Sequence, residues 1–137
     1  MRYAGDLSPA EAWALLQEDP AALLVDVRTE AEWTFVGVPD LSALGKKVLA
    51  VSWVGWPGGQ RNESFLEELR AAGGDQASAL VFLCRSGHRS AAAAEAATEA
   101  GLAPSYNVAQ GFEGDLDEHG RRGHAGWRAS GLPWRQS

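Results

Sequence analysis

The chain has 137 residues, 45% of them hydrophobic and 22% charged, proportions of an ordinary globular domain that exclude a disordered tail and a coiled coil. Its net charge is −6, with ten arginines and two lysines scattered among eighteen acids, so no nucleic-acid partner is expected. No apolar run approaches the about 20 residues of a membrane span, and the opening Met1-Arg2-Tyr3-Ala4-Gly5-Asp6 lacks a hydrophobic signal segment; the expectation is one cytoplasmic domain over residues 1–137, away from membranes.

Ser8-Pro9-Ala10-Glu11 combines an N-cap, a proline at the first helical position and a capping-box glutamate. It predicts a helix to about Gln17 that buries Trp13, Leu15 and Leu16. After the turn at Asp19-Pro20, Leu23-Leu24-Val25-Asp26-Val27 has the continuous apolar character of a strand covered on both faces. Thr29-Glu30-Ala31-Glu32 is a second capping box, and the short helix it opens is expected to carry Trp33 and Phe35 into the core.

Val48 to Trp53 is the next predicted strand, leading into the glycine-rich loop Gly55-Trp56-Pro57-Gly58-Gly59-Gln60-Arg61-Asn62, a usual place for a site. Trp53 reads as core packing and Trp56 as an exposed wall of a substrate pocket. A helix over Glu63 to Ala72 places Phe65, Leu66 and Leu69 on one face and closes at Gly73-Gly74. A third buried strand, Ala79 to Leu83, precedes an alanine-rich helix from Ser90 to Ala100, stopped by Gly101. Tyr106-Asn107-Val108 is a last short strand, and residues 110–137 carry little regular pattern. Strands alternating with helices predict an α/β fold with a central, mostly parallel sheet and helices on both faces.

Cys84 is the sole cysteine, so neither an internal disulfide nor a cysteine-rich zinc site is available. A lone cysteine ending a strand is commonly just a small buried hydrophobe. Here it opens the segment Cys84-Arg85-Ser86-Gly87-His88-Arg89-Ser90, at the carboxyl end of a predicted parallel strand, where ligands of α/β sheets bind. A glycine in such a tight loop lets backbone N–H groups turn inward at the positive end of the next helix, which makes an anion cradle. Hydrogen bonds and positive charge there stabilise a thiolate, so an ionised Cys84 is expected at neutral pH. Arg85 and Arg89 are read as anion-attracting groups at the mouth, Arg89 also as a partner for a structural carboxylate. His88 either tunes the charge or faces solvent.

Two chemistries place a cysteine in such a loop. Cysteine phosphatases and some arsenate reductases separate Cys from Arg by five residues, which wraps a tetrahedral oxyanion. Here only four residues separate Cys84 from Arg89, and the smaller ring of amides is better matched to a single terminal sulfur.

With that spacing, the Cys84 to Ser90 segment resembles the active-site loop of the rhodanese-like sulfurtransferases, in the form common in small bacterial members. Leu24-Val25-Asp26-Val27-Arg28 followed by Glu30, Glu32 and Trp33 resembles the family's first signature, and Tyr106-Asn107-Val108-Ala109-Gln110-Gly111-Phe112 with Trp127 its closing one. The chain departs at Gly37-Val38-Pro39-Asp40-Leu41, where many members carry Gly-His-Ile-Pro-Gly-Ala. The resemblance implies a rhodanese fold from about Leu7 to Trp134 and a thiosulfate sulfurtransferase. Cys84 would take a sulfane sulfur as a persulfide, within a substrate loop of Arg85, Ser86, Gly87, His88 and Arg89.

Asp26, Arg28, Ser90 and Trp56 would support that loop. A buried carboxylate such as Asp26 needs partners, and the resemblance implies that it holds neighbouring loops with Arg28 nearby. The expected partners are small sulfur donors, with cyanide, a thiol or a protein as sulfur acceptor; no cofactor is implied. A persulfide carrier or partner-binding module is the alternative of another class. No metal is expected: Asp115-Leu116-Asp117-Glu118-His119-Gly120 begins like a calcium loop but has Gly126 where the closing glutamate should fall.

Overall fold

A computed structural model describes residues 2–55 and 59–136. Its elements are β1 (Gly5–Leu7), α1 (Pro9–Glu18), β2 (Ala22–Asp26), α2 (Glu30–Phe35), β3 (Val38–Pro39), β4 (Leu49–Ala50), α3 (Phe65–Ala71), β5 (Ala79–Leu83), α4 (His88–Glu99), β6 (Ser105–Val108) and β7 (Trp134–Arg135). Five strands form one sheet in the order β1-β6-β5-β2-β4, and every pairing in it is parallel. β5 lies at its centre, and all five of its residues are buried. A separate antiparallel pair joins β3 to β7.

Side chains alternate across the sheet as the period-two geometry of strands requires. Leu24, Val81 and Leu83 point to one face, where they meet Ala12 and Leu16 of α1 together with Phe112 and Trp127. Val25, Leu80, Phe82 and Cys84 point to the other, against Phe65 and Leu69 of α3 and Ala93, Ala94 and Ala97 of α4. The small alanines of α4 let that helix lie close to the central strand. Each fully buried Val, Leu or Phe contributes about 1.5–3 kcal/mol, so the paired centre β2-β5 anchors the fold.

Both capping boxes form: the Ser8 hydroxyl accepts from Glu11 N–H, and the Thr29 hydroxyl from Glu32 N–H. Three expectations require correction. Phe35 does not enter the core but is 79% exposed, and α2 buries none of its side chains; a helix of six residues has too few turns to present a continuous apolar stripe. The strand expected over 48–53 pairs with β2 only at Leu49 and Ala50, although Val51 and Trp53 N–H still donate to Asp26 and Val27 carbonyls. β1, β3 and β7 are additional strands, each of two or three residues, too short to show a period.

The segment after β6 is irregular yet packed. Trp127 is fully buried, lies edge-on to Trp13 at 6.0 Å and donates its indole N–H to the Pro133 carbonyl at 2.8 Å. Asp117, read as part of a calcium-like sequence, instead closes a turn by accepting the N–H groups of His119 and Arg121. Trp53 is half-buried and meets Phe65 edge-to-face at 5.0 Å. Trp56 lies outside the described residues. No helix among the described residues is long and apolar enough to cross a membrane.

Candidate active site

Cys84 follows the last residue of β5, and four residues later His88 starts α4, two residues earlier than the alanine run alone predicts. The short turn from strand to helix passes through a left-handed residue: Gly87, the N-cap of α4, has φ of +102°. A Cβ there would also lie 2.1 Å from the Ala109 carbonyl oxygen, so glycine is required both for conformation and for space. This geometry lets the Gly87 N–H donate to Cys84 Sγ at 3.2 Å.

The loop is clamped from outside by the turn after β6. Phe112 N–H donates to the Cys84 carbonyl at 2.8 Å, and the N–H groups of Glu113 and Gly114 donate to the Arg85 carbonyl at 3.0 and 3.2 Å. The approach is so close that a Cβ on Gly111 would come within 2.6 Å of the Ser86 amide nitrogen. Ser86 itself is half-buried in the loop.

A second partner of the sulfur is Ser90, fully buried in the first turn of α4, whose Oγ lies 3.2 Å from Sγ. The same hydroxyl lies 2.6 Å from Oδ1 of Asn107. Asn107 Nδ2 donates to Asp6 Oδ1 and to the Gly87 carbonyl, at 3.1 and 3.2 Å. Two acceptors facing Nδ2 settle which end of the amide meets Ser90: Oδ1 does, and it accepts from the hydroxyl. The one Ser90 hydroxyl proton thus has two acceptors, Asn107 Oδ1 at 2.6 Å and Cys84 Sγ at 3.2 Å, and the shorter contact takes the larger share of it. Asn107 belongs to the closing signature, but its link to Ser90 and Asp6 is not legible there. The signal in the sequence is an amide, disfavoured in strands, within a short predicted strand.

The two arginines of the loop are each engaged by a carboxylate. Arg89 donates to Glu32 in a bidentate pair, 2.6 and 3.0 Å, tying α4 to α2. Burial pushes the Glu32 carboxyl up, but the hydrogen bonds and charge of Arg89, with the Thr29 N–H, outweigh it and hold the carboxyl below its ordinary value. The same bonds raise Arg89 above its ordinary value against burial, with the charges of Glu32, Cys84 and Asp26 adding. Arg85 Nε sits 3.0 Å from Glu113 Oε2. His88 is 85% exposed and 3.8 Å from Asp115, so of its two expected roles the geometry favours the solvent-facing one.

Asp26 and Arg28 form a buried bidentate pair at 2.9 and 2.8 Å. Arg28 also donates to the Gly37 carbonyl at 2.7 Å and stacks 4.4 Å above the Phe112 ring. Through Phe112, whose N–H holds the Cys84 carbonyl, this pair braces the loop without touching the sulfur.

A family model described as the STR4 middle domain matches residues 4–137. The crystal structure of Rv0390 from M. tuberculosis is 58% identical, covers 98% of this chain and 99% of that one, and superposes with a TM-score of 0.93. The polysulfide-sulfur transferase homodimer from Wolinella succinogenes is 28% identical over 98% of this chain and 79% of that chain, with a TM-score of 0.68. The chloroplastic protein thylakoid rhodanese-like of Oryza sativa subsp. indica is 34% identical over 95% of this chain, which spans 25% of that protein.

Proposed function

The chain belongs to the STR4 middle-domain family and has a rhodanese-like fold, and from that premise we propose that it is a sulfurtransferase working through a Cys84 persulfide. The observation that carries the reading is the sulfur at the carboxyl end of the central strand, with the Gly87 N–H and the Ser90 hydroxyl both 3.2 Å away.

In the first half-reaction the Cys84 thiolate attacks the outer sulfur of a donor such as thiosulfate. A bond forms between Sγ and that sulfur, the donor S–S bond breaks, and sulfite leaves with the electron pair. In the second, cyanide or a thiolate attacks the outer sulfur and the electron pair returns to Sγ. One difficult transfer is thereby split into two. The Gly87 N–H and the amino end of α4 stabilise the sulfur anions. Arg89 and Arg85, paired with Glu32 and Glu113, hold the loop in place and give the donor a polar approach. Asp26, Arg28 and Ser90 support it. With one cysteine in the chain, the acceptor of the persulfide sulfur is another molecule, either small or a protein.

Polysulfide is the second donor to test, because a 28% identical protein is named for that transfer. Intact mass spectrometry after thiosulfate, and separately polysulfide, reads the intermediate. The wild type gains about 32 Da, one sulfur, and cyanide removes it, whereas Cys84→Ser gains nothing, because a serine hydroxyl is not ionised near neutral pH. Sulfur loading of Cys84→Ser, or a wild type that neither donor loads, overturns the proposal.

A further inference from the structure

A cleft of about 530 Å³ lies beside the edge strand β4, with Asp26 and Ala50 among its lining residues; its size falls within the roughly 300–1,000 Å³ of small-molecule sites. Its apolar walls come from three directions. Trp33 projects from α2, Val38 and Pro39 belong to β3, and Val48 precedes β4. The chain reaches this arrangement because β7 pairs with β3, placing Arg135 opposite Val38 and bringing a cation from the far end of the sequence to the rim.

The rim is short of negative charge. Both lysines of the chain, Lys46 and Lys47, line the cleft with Arg135, although the protein as a whole carries −6. Among the described residues none of the three has a carboxylate within 4.0 Å. The acids of the cleft are Asp26 and Asp40. Asp26 is already neutralised by Arg28, so among the described residues the three cations are offset in part by Asp40 in the cleft and by Asp19 outside it, which acts on Lys46. Lys46 is also preorganised. Its Nζ donates to the Asp19 and Ala22 carbonyls, both at 2.7 Å, which fixes the ammonium and leaves it one further N–H donor. Burial pulls this ammonium below its ordinary value, with the Asp19 charge opposing.

We propose that this cleft, separate from the sulfur loop, binds a small organic anion with a flat apolar body. The body lies against Trp33, Val38 and Val48, and a sulfonate, carboxylate or phosphate group meets Lys46, Lys47 and Arg135. Apolar walls without the cations would accept a neutral hydrophobe equally well, and cations without the walls would hold inorganic anions. The combination selects the amphipathic anion.

The probes are 8-anilinonaphthalene-1-sulfonate, its neutral analogue N-phenyl-1-naphthylamine, and inorganic sulfate, titrated by fluorescence and by competition against the full chain. The sulfonate is expected to bind saturably with one site. The neutral analogue binds at least tenfold more weakly, and sulfate at equal concentration does not displace the dye. Lys47→Glu and Arg135→Glu, both at exposed positions, each weaken binding about tenfold, which is about 1.4 kcal/mol, with unchanged thermal melting. Cys84→Ser binds like the wild type. Val48→Trp, which fills the wall rather than altering charge at a residue that also packs against the core, abolishes binding while far-UV circular dichroism stays that of the wild type. Equal affinity for the neutral analogue, insensitivity to both charge reversals, or loss of binding in Cys84→Ser overturns the assignment.

Discussion

Gly87→Ala probes the sulfur loop at its tightest point. The new Cβ would lie 2.1 Å from the Ala109 carbonyl oxygen, about 1 Å inside the 3.0 Å below which side-chain carbons do not approach such atoms. Ala109 cannot simply retreat, because its N–H is bonded to Leu7 of β1, and the following turn is bonded to the Cys84 and Arg85 carbonyls. Holding alanine at a φ of +102° costs about 1–2 kcal/mol, and overpacking adds about 1–3 kcal/mol. The reduced entropy of the unfolded chain returns about 0.4–1 kcal/mol. The net destabilisation is therefore about 1–4.5 kcal/mol, less than the about 5–15 kcal/mol of a typical domain, so the variant remains folded at 25 °C. A displacement near 1 Å of the Gly87 N–H that faces the sulfur lowers sulfur transfer by about a hundredfold. Urea unfolding followed by tryptophan fluorescence reads the first quantity, and turnover of thiosulfate with cyanide the second. Stability within about 0.5 kcal/mol of the wild type together with undiminished turnover means that the loop does not depend on this glycine.

Glu32→Gln removes one charge of the α2–α4 clasp and destabilises the protein by about 1–3 kcal/mol at neutral pH. Because the Glu32 carboxyl is held below its ordinary value when folded, the stabilisation is complete above the unfolded value of about 4.3 and fades as pH falls through the lower folded one. Melting curves of both proteins should therefore converge under acid, and a gap that stays constant down to pH 3 contradicts the clasp. Asn107→Leu leaves the buried Ser90 hydroxyl and the Gly87 carbonyl without their amide partner and costs about 1–3 kcal/mol, read by chemical unfolding; a neutral outcome would remove Asn107 from the network. Inserting a glycine between Gly87 and His88 restores the five-residue interval of the phosphatase loops. It is expected to lower thiosulfate turnover and to improve binding of phosphate or arsenate, measured by calorimetry, whereas a wild type that hydrolyses aryl phosphates faster than it transfers sulfur refutes the sulfur reading.

The features legible in the sequence are those written in neighbouring residues. Ser8 with Glu11 and Thr29 with Glu32 announce helix starts because a capping box spans three residues. Ala79 to Leu83 announces a covered strand because burial on both faces removes polar alternation. The Cys84 loop is legible because its glycine, serines and arginines crowd into seven consecutive positions. Tertiary structure alone decided what those groups touch. Arg89 finds Glu32 across 57 residues and Asn107 finds Asp6 across 101, contacts that no local periodicity encodes. β1 and β7 are too short to carry a pattern and exist because β6 and β3 lie beside them. Phe35 satisfies every local rule for a buried aromatic on a helix, yet stands in solvent. A short helix acquires its inner face from the surface it is laid against, and that surface is assembled from segments distant in sequence, as the tie of Glu32 in α2 to Arg89 in α4 shows.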